Sequence, residues 1–312
     1  MSAANRSADK SAVAIEIKNL TKHFGAKTAV NDVSFNVEEG HCYGLIGPNG
    51  AGKTTTFSMM CGFLIPSAGS INILGASPAE SGALKGKVGV LPQDAVLPPL
   101  WPVGELLSYY GELSGLADAE KEARAALEKV QLSETWGVQA GALSHGMHKR
   151  VSMAQALMGS PPVIFLDEPT AGLDPKIAAQ VRNVIRELKG KHTVVVSSHN
   201  LQELEELCDA SAILDKGKLV SATSMAELTG TTAEFRVQIA KGEISVSEVR
   251  ALTGAKDARM EANNVLCVTY DGTIVSVEQI ITDTVALLAS RKVLLTGVWR
   301  GKRLEEKVLQ LT

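Results

Sequence analysis

An excess of positive charge is missing from this sequence. Across 312 residues, 31 Lys and Arg stand against 34 Asp and Glu, a formal charge of -3. The strong field with which nucleic-acid binders gather phosphates is therefore absent, and no nucleic-acid partner is expected. Cysteine is sparse as well. Cys42, Cys61, Cys208 and Cys267 show no C-x-x-C spacing, which excludes a zinc site or disulfide framework of that kind and fits a reducing compartment. Long apolar runs are lacking too. The richest, such as 162–166, are strand-length, far short of the roughly 18 residues that a spanning helix needs. Residues 1–12 are small and polar, without the basic-then-apolar order of a secretory leader. They are expected to form a disordered tail, and any membrane role is expected to come through another chain.

What is present is enough apolar material for a large core and a smaller appended module, with hydrophobic content at 45%. Apolar and polar residues alternate at 13–17 and 33–37, the pattern of half-buried strands. The run at 43–46 breaks into glycines and resumes as helix-compatible sequence over 53–64, which reads as strand, tight loop, helix. Short unbroken apolar runs at 88–91, 163–166 and 193–196 suit strands covered on both faces of a parallel sheet. Between 94 and 160 strand signals give way to helical ones, including 117–130, so a helical insertion is expected there. After 230 the order becomes strand 235–239, helix 246–252, strands 258–262 and 265–270, helix 275–289, strand 293–298. That β-α-β-β-α-β order predicts a ferredoxin-like unit, with 304–311 as a further short helix.

Two stretches carry chemistry. Gly47-Pro48-Asn49-Gly50-Ala51-Gly52-Lys53-Thr54 satisfies G-x-x-x-x-G-K-[ST] between an expected strand and an expected helix. Glycines let the backbone curl until successive N–H groups point inward around phosphates, with the helix N-terminus adding partial positive charge. Lys53 then reaches the outer phosphates and Thr54 offers a hydroxyl to Mg²⁺. The second stretch, 163–168, is an apolar strand ending in Asp167 and Glu168. By itself that is also how a strand leaves a core. Beside a phosphate loop, Asp167 suits a Mg²⁺ partner and Glu168 a base for the attacking water.

With these in place the sequence resembles the ATP-binding cassette ATPases over residues 13 to about 228, because further landmarks follow in that family's order. The resemblance implies that Gln93, after the strand at 88–91, touches Mg²⁺ or the attacking water. Leu143-Ser144-His145-Gly146-Met147 resembles the family's signature, opening a helix expected over 149–158, and implies that Ser144 and Gly146 meet nucleotide held by a second copy. Ala171-Gly172-Leu173-Asp174 resembles the D-loop at that dimer interface, and His199 the switch histidine at the γ-phosphate. Phe24 stands where the family stacks an aromatic ring on adenine, and Thr55 continues the phosphate-binding set. Two departures stand out: His145 and Met147 replace the commoner Gly and Gln, and Phe24 replaces the commoner Tyr.

The implied fold is an α/β P-loop ATPase core with a parallel sheet, an N-terminal antiparallel β subdomain and an inserted helical subdomain, followed by the small α+β unit. The expected domains are a tail at 1–12, a nucleotide-binding domain at 13–229 and an accessory domain at 230–312. The implied function is ATP hydrolysis, with ATP and Mg²⁺ as cofactors, in a homodimer that drives a separate integral membrane permease from the cytoplasmic face of the membrane. The C-terminal unit and the ending 304–312 resemble an exporter branch serving drugs, lipids and polysaccharides. An importer or lipid-trafficking motor stays open beside it, as does, further off, a soluble non-transport cassette. The loop at 97–102, apolar and proline-rich, is expected to present surface to the permease, with internal packing as its alternative.

Overall fold

A computed structural model describes residues 12–80, 82–229 and 233–301, together with Leu304 and Val308. The expected tail, Ala12 excepted, and most of the expected closing helix lie outside the described residues. The chain divides into two compact units between Thr223 and Ser224, a few residues ahead of the boundary expected at 229.

In chain order the first unit runs β1 (Val13–Phe24), β2 (Lys27–Glu38), β3 (Cys42–Ile46), α1 (Lys53–Met60), β4 (Ala68–Ile73) and β5 (Val88–Leu91). There follow α2 (Val103–Leu113), α3 (Ala119–Lys129), α4 (His145–Leu157), β6 (Val163–Asp167), α5 (Pro175–Leu188), β7 (Thr193–Ser197), α6 (Leu201–Leu207), β8 (Ala210–Asp215) and β9 (Lys218–Ser224). β1 pairs antiparallel with β2 and with β4, giving a three-stranded sheet in the order β2-β1-β4. Its inward side chains, Ile15, Ile17, Val33, Phe35 and Val37 among them, are buried at alternate positions, as a sheet with one wet face requires.

The second sheet has six strands in the order β5-β6-β7-β3-β8-β9. β3, β6 and β7 are buried at every residue, which is why they read as unbroken apolar runs. β3 runs parallel to β7, and β7 to β6, so three neighbouring strands point their carboxyl ends the same way. Loops leaving those ends are where ligands collect in parallel sheets.

α2, α3 and α4 form the helical insertion. Val103, Leu106 and Leu107 of α2 and Ala123, Ala126 and Leu127 of α3 supply its buried faces. Gly104 admits the Trp136 ring, where a Cβ would fall 2.3 Å from it.

Several expected boundaries move, each for a local reason. α4 starts at His145, four residues before the expected 149, because Ser144 Oγ accepts the Met147 N–H at 3.3 Å and so caps the helix there. α1 ends at Met60, since Gly62 takes φ 75° and closes the helix with a backbone that side chains avoid. β1 and β2 extend well beyond 13–17 and 33–37. β4, β8 and β9 had no strong pattern of their own, being exposed or half-buried at alternate residues or, for β8, small-residue rich.

The second unit holds α7 (Met225–Thr229), β10 (Glu234–Lys241), α8 (Val246–Arg250), β11 (Ala255–Glu261), β12 (Val265–Tyr270), α9 (Val277–Ser290) and β13 (Leu294–Arg300). From β10 onward the order is the expected β-α-β-β-α-β, and the antiparallel sheet runs β11-β12-β10-β13, a ferredoxin-like arrangement. Phe235, Val237, Leu266, Val268, Ile280 and Leu288 make its core.

Arg236 is fully buried and held by both oxygens of Glu261, at 2.8 and 3.1 Å, and by Glu234 at 3.0 Å. Arg236 in turn holds the Glu261 carboxyl below the usual glutamate range. A carboxyl shifted downward adds stability above its unfolded value, and that stability is lost as pH falls through the folded value. Glu261→Gln is expected to cost about 2 kcal/mol at neutral pH, measured by thermal melting. The difference from the parent should narrow below about pH 4.

Candidate active site

β3 ends at Ile46 and the chain turns through the glycine loop into α1. Gly47, Gly50 and Gly52 take φ of 155°, 83° and 99°, with Gly50 and Gly52 in the left-handed region that side chains avoid. A Cβ on Gly47 would lie 2.3 Å from the Leu214 carbonyl oxygen, and one on Gly52 2.7 Å from that of Ala29. The β8–β9 turn pins the loop from behind: Gly217 N–H donates to Ala51 O at 3.0 Å, and Asn31 N–H to Gly217 O at 2.7 Å. No side chain caps α1 at Gly52, so its first-turn N–H groups are placed for an anion. Lys53 Nζ lies within the curl, donating to Gly47 O at 2.5 Å and Pro48 O at 3.1 Å. Thr54 is exposed and Thr55 half-buried at the mouth.

β6 and β7 bring the acids to the same end. Asp167 is buried, and Ser197 Oγ, the last residue of β7, donates to its Oδ1. Burial pushes the Asp167 carboxyl up from its ordinary value, against the Ser197 hydrogen bond and the Lys149 and Lys53 charges that pull it down. Glu168 leaves the strand with φ 48°, a left-handed conformation that costs energy for a non-glycine residue. Its N–H donates to Ser197 O at 3.1 Å and Oγ at 3.2 Å. Turned this way, its carboxylate accepts from His199 Nδ1 at 2.7 Å. Burial lowers the Lys53 ammonium below the usual lysine range, while Glu168 and Asp167 counter the shift. The phosphate-loop lysine and the acid pair therefore share one electrostatic site.

The remaining expected residues lie around it. Phe24 ends β1 half-exposed, with Lys22 Nζ 5.4 Å from its ring centroid, an open aromatic face suited to a base. Gln93 is exposed beyond β5. Ser144 is exposed, and its hydrogen bonds among the described residues stay within α4. Gly146 packs on the D-loop side, where a Cβ would lie 3.6 Å from Ile177 and 3.8 Å from Leu173. Asp174 Oδ1 caps α5, accepting from Lys176 and Ile177 N–H at 3.0 and 3.1 Å. Its carboxylate thus has a structural task that the sequence pattern did not separate from a nucleotide role.

Sequence reasoning missed three kinds of residue. Ser197, joining both acids, carried no signal beyond a polar residue ending an apolar strand. Lys149, buried on α4, donates to Gln93 O at 3.1 Å. Lys27 and Lys216 line a cavity of about 410 Å³ with Asn49, Gly50, Lys53 and Thr55, brought there by turns far apart in sequence.

The curl admits no side chains at Gly47 or Gly52, and the uncapped first turn of α1 and the Lys53 ammonium lie beside it, a setting suited to phosphates. Thr54 and Asp167 are hard oxygen donors of the type that hold Mg²⁺ alongside substrate phosphates. These features suit a phosphate-loop nucleotide hydrolase.

A family profile described as ABC transporter matches residues 30–171. The chain is 39% identical over 212 residues to Nod factor export ATP-binding protein I of Burkholderia lata, covering 66% of this chain and 69% of that protein. It is 35% identical over 218 residues to linearmycin resistance ATP-binding protein LnrL of Bacillus subtilis, covering 69% and 70%. A solved ATP-binding subunit of an ABC transporter superposes with TM-score 0.64 at 29% identity, over 69% of this chain and 92% of that one. A nucleotide-free ATP-binding cassette superposes at 0.61 with 28% identity, over 68% and 92%. The chain belongs to the ABC transporter ATP-binding proteins and is an ATPase of that family.

Ser197 is the residue whose contribution is easiest to isolate. Ser197→Ala removes the donor to Asp167 and one acceptor of the Glu168 N–H. ATP turnover is expected to fall roughly tenfold or more, with melting temperature within a few degrees of the parent, as hydrolysis assays and calorimetry would read.

Proposed function

We propose that this chain is the motor of a membrane exporter, working as a homodimer on a separate integral membrane protein at the cytoplasmic face of the membrane. The observation that carries the hydrolytic part is the Glu168 carboxylate, fixed by its left-handed backbone and by His199 at 2.7 Å, on the strand end beside the Lys53 loop. Export is supported by the relatives named for Nod factor export and linearmycin resistance. Beyond 230, the accessory unit would serve the assembled machine.

In this reading Phe24 stacks on adenine and the amides of 47–55 hold the phosphates. Lys53 exchanges its hydrogen bonds to Gly47 and Pro48 for phosphate oxygens. Thr54, Asp167 and the Gln93 side chain would hold Mg²⁺, which neutralises phosphate charge when bound. Glu168 orients and deprotonates the attacking water, and His199, donating through Nδ1, keeps that carboxylate aimed. Ser144 and Gly146 of one copy close over the nucleotide of the other, with Asp174 and its loop along the interface. A permease has apolar surface to meet near Gln93: Val96, Leu100 and Trp101 are 82%, 77% and 42% exposed, while Leu97 turns inward and packs.

Glu168→Gln removes the base and keeps the shape. The variant is expected to bind ATP, lose turnover by about 100-fold or more, and become dimeric when ATP is added. From membranes, a tagged variant should retain an integral membrane protein. A variant that stays monomeric with ATP and brings down no membrane protein contradicts the exporter reading.

A further inference from the structure

Lys149 is only 6% exposed, an unusual place for an ammonium unless something holds it. Its Nζ donates to the Gln93 carbonyl at 3.1 Å, and the carboxylates of Asp167, Asp94 and Glu168 act on its charge. The cation therefore joins the helical insertion by a hydrogen bond to the loop carrying Gln93, and it lies within the field of both acids of its own chain. Arg150, the next residue, donates to the carbonyls of Val130 and Gln131 at the end of α3, at 3.2 and 3.4 Å. Consecutive side chains thus anchor α4 in two directions, one into the insertion and one toward the sheet.

On the same helix, Ser144 caps the N-terminus and is exposed, with Gly146 half-buried one turn before Lys149. Five residues of α-helix span about 7.5 Å. One short rigid segment carries outward groups at its tip and an inward charge at its first turns. We propose that Lys149 is the positioning residue that couples the two nucleotide sites of the dimer, relaying displacement of the signature end of α4 to Gln93 and the acid pair of the same chain.

This rests on the homodimer reading above, in which Ser144 and Gly146 meet the other copy's nucleotide. A shift of α4 that parted Lys149 from Gln93 would leave a buried ammonium without its hydrogen-bond acceptor, which is costly. The cheaper response is for Gln93 and the acids to follow the helix. Coupling of this kind is reciprocal, so a change at the acids moves Ser144 as well.

The test uses the full chain carrying Glu168→Gln, so that binding is read without turnover. ATP binding is titrated by calorimetry, dimer formation is followed by size-exclusion chromatography, and melting temperature is recorded for each variant. The parent is expected to dimerise with ATP and bind with a Hill coefficient approaching about two, the number of sites. Lys149→Met should still dimerise, with a coefficient near one, and Lys149→Arg should restore most of the parental value. If Lys149→Met does not fold, Lys149→Gln, which keeps a donor and removes the charge, is expected to give the same loss. A folded, dimerising Lys149→Met or Lys149→Gln variant with the parental coefficient overturns the coupling role, as does a dimeric parent that binds without cooperativity. A parent that stays monomeric with ATP overturns the dimer reading, and the coupling role with it.

Discussion

Two carboxylates and two ammonium groups share the partly dry corner where β3, β6 and β7 end. Asp167 and Glu168 alone would repel each other and lose solvation; Lys53 from the phosphate loop and Lys149 from the helical insertion offset both costs. The arrangement explains why three strands of one parallel sheet are buried throughout. β6 and β7 bring Asp167 and Glu168 within hydrogen-bond distance of Ser197 and His199, and β3, parallel to β7, delivers the phosphate loop at the same end of the sheet. Ser197 finishes the corner by bonding to Asp167 and to the Glu168 N–H at once.

Backbone strain is spent at the same place. Gly50 and Gly52 adopt conformations open to glycine, and Glu168 adopts one that a glutamate resists. Strain of this kind persists where surrounding contacts overdetermine it. Here two hydrogen bonds to Ser197 hold the Glu168 N–H, and His199 holds its carboxylate. In the proposed function this would leave the base aimed before nucleotide arrives, so that less reorganisation is needed during reaction.

The parallel strands, the phosphate loop and the acid pair were legible because each leaves a short-range pattern: unbroken apolar runs, glycines at fixed spacing, carboxylates at a strand end. The β-α-β-β-α-β order after 230 was legible for the same reason, alternation giving way to helical spacing and back. What was not legible depends on contacts distant in sequence. Lys149 reads as an ordinary helix-surface lysine until Gln93, 56 residues earlier, is seen against it. Ser197 reads as a strand end until Asp167, 30 residues away, is paired with it. The start of α4 was misplaced because Ser144 was read for its phosphate chemistry, although its hydroxyl also caps the helix. Asp174 has the same double character, a motif residue whose carboxylate caps α5.

In the proposed function hydrolysis arises from this corner, with Lys53 the group that joins phosphate to the acid pair. The most direct measurement is steady-state ATP hydrolysis by the purified chain and by its Lys53→Met variant, compared at equal nucleotide occupancy. Turnover is expected to fall by about two orders of magnitude or more in the variant while its fold is retained. Undiminished hydrolysis by Lys53→Met would contradict this reading.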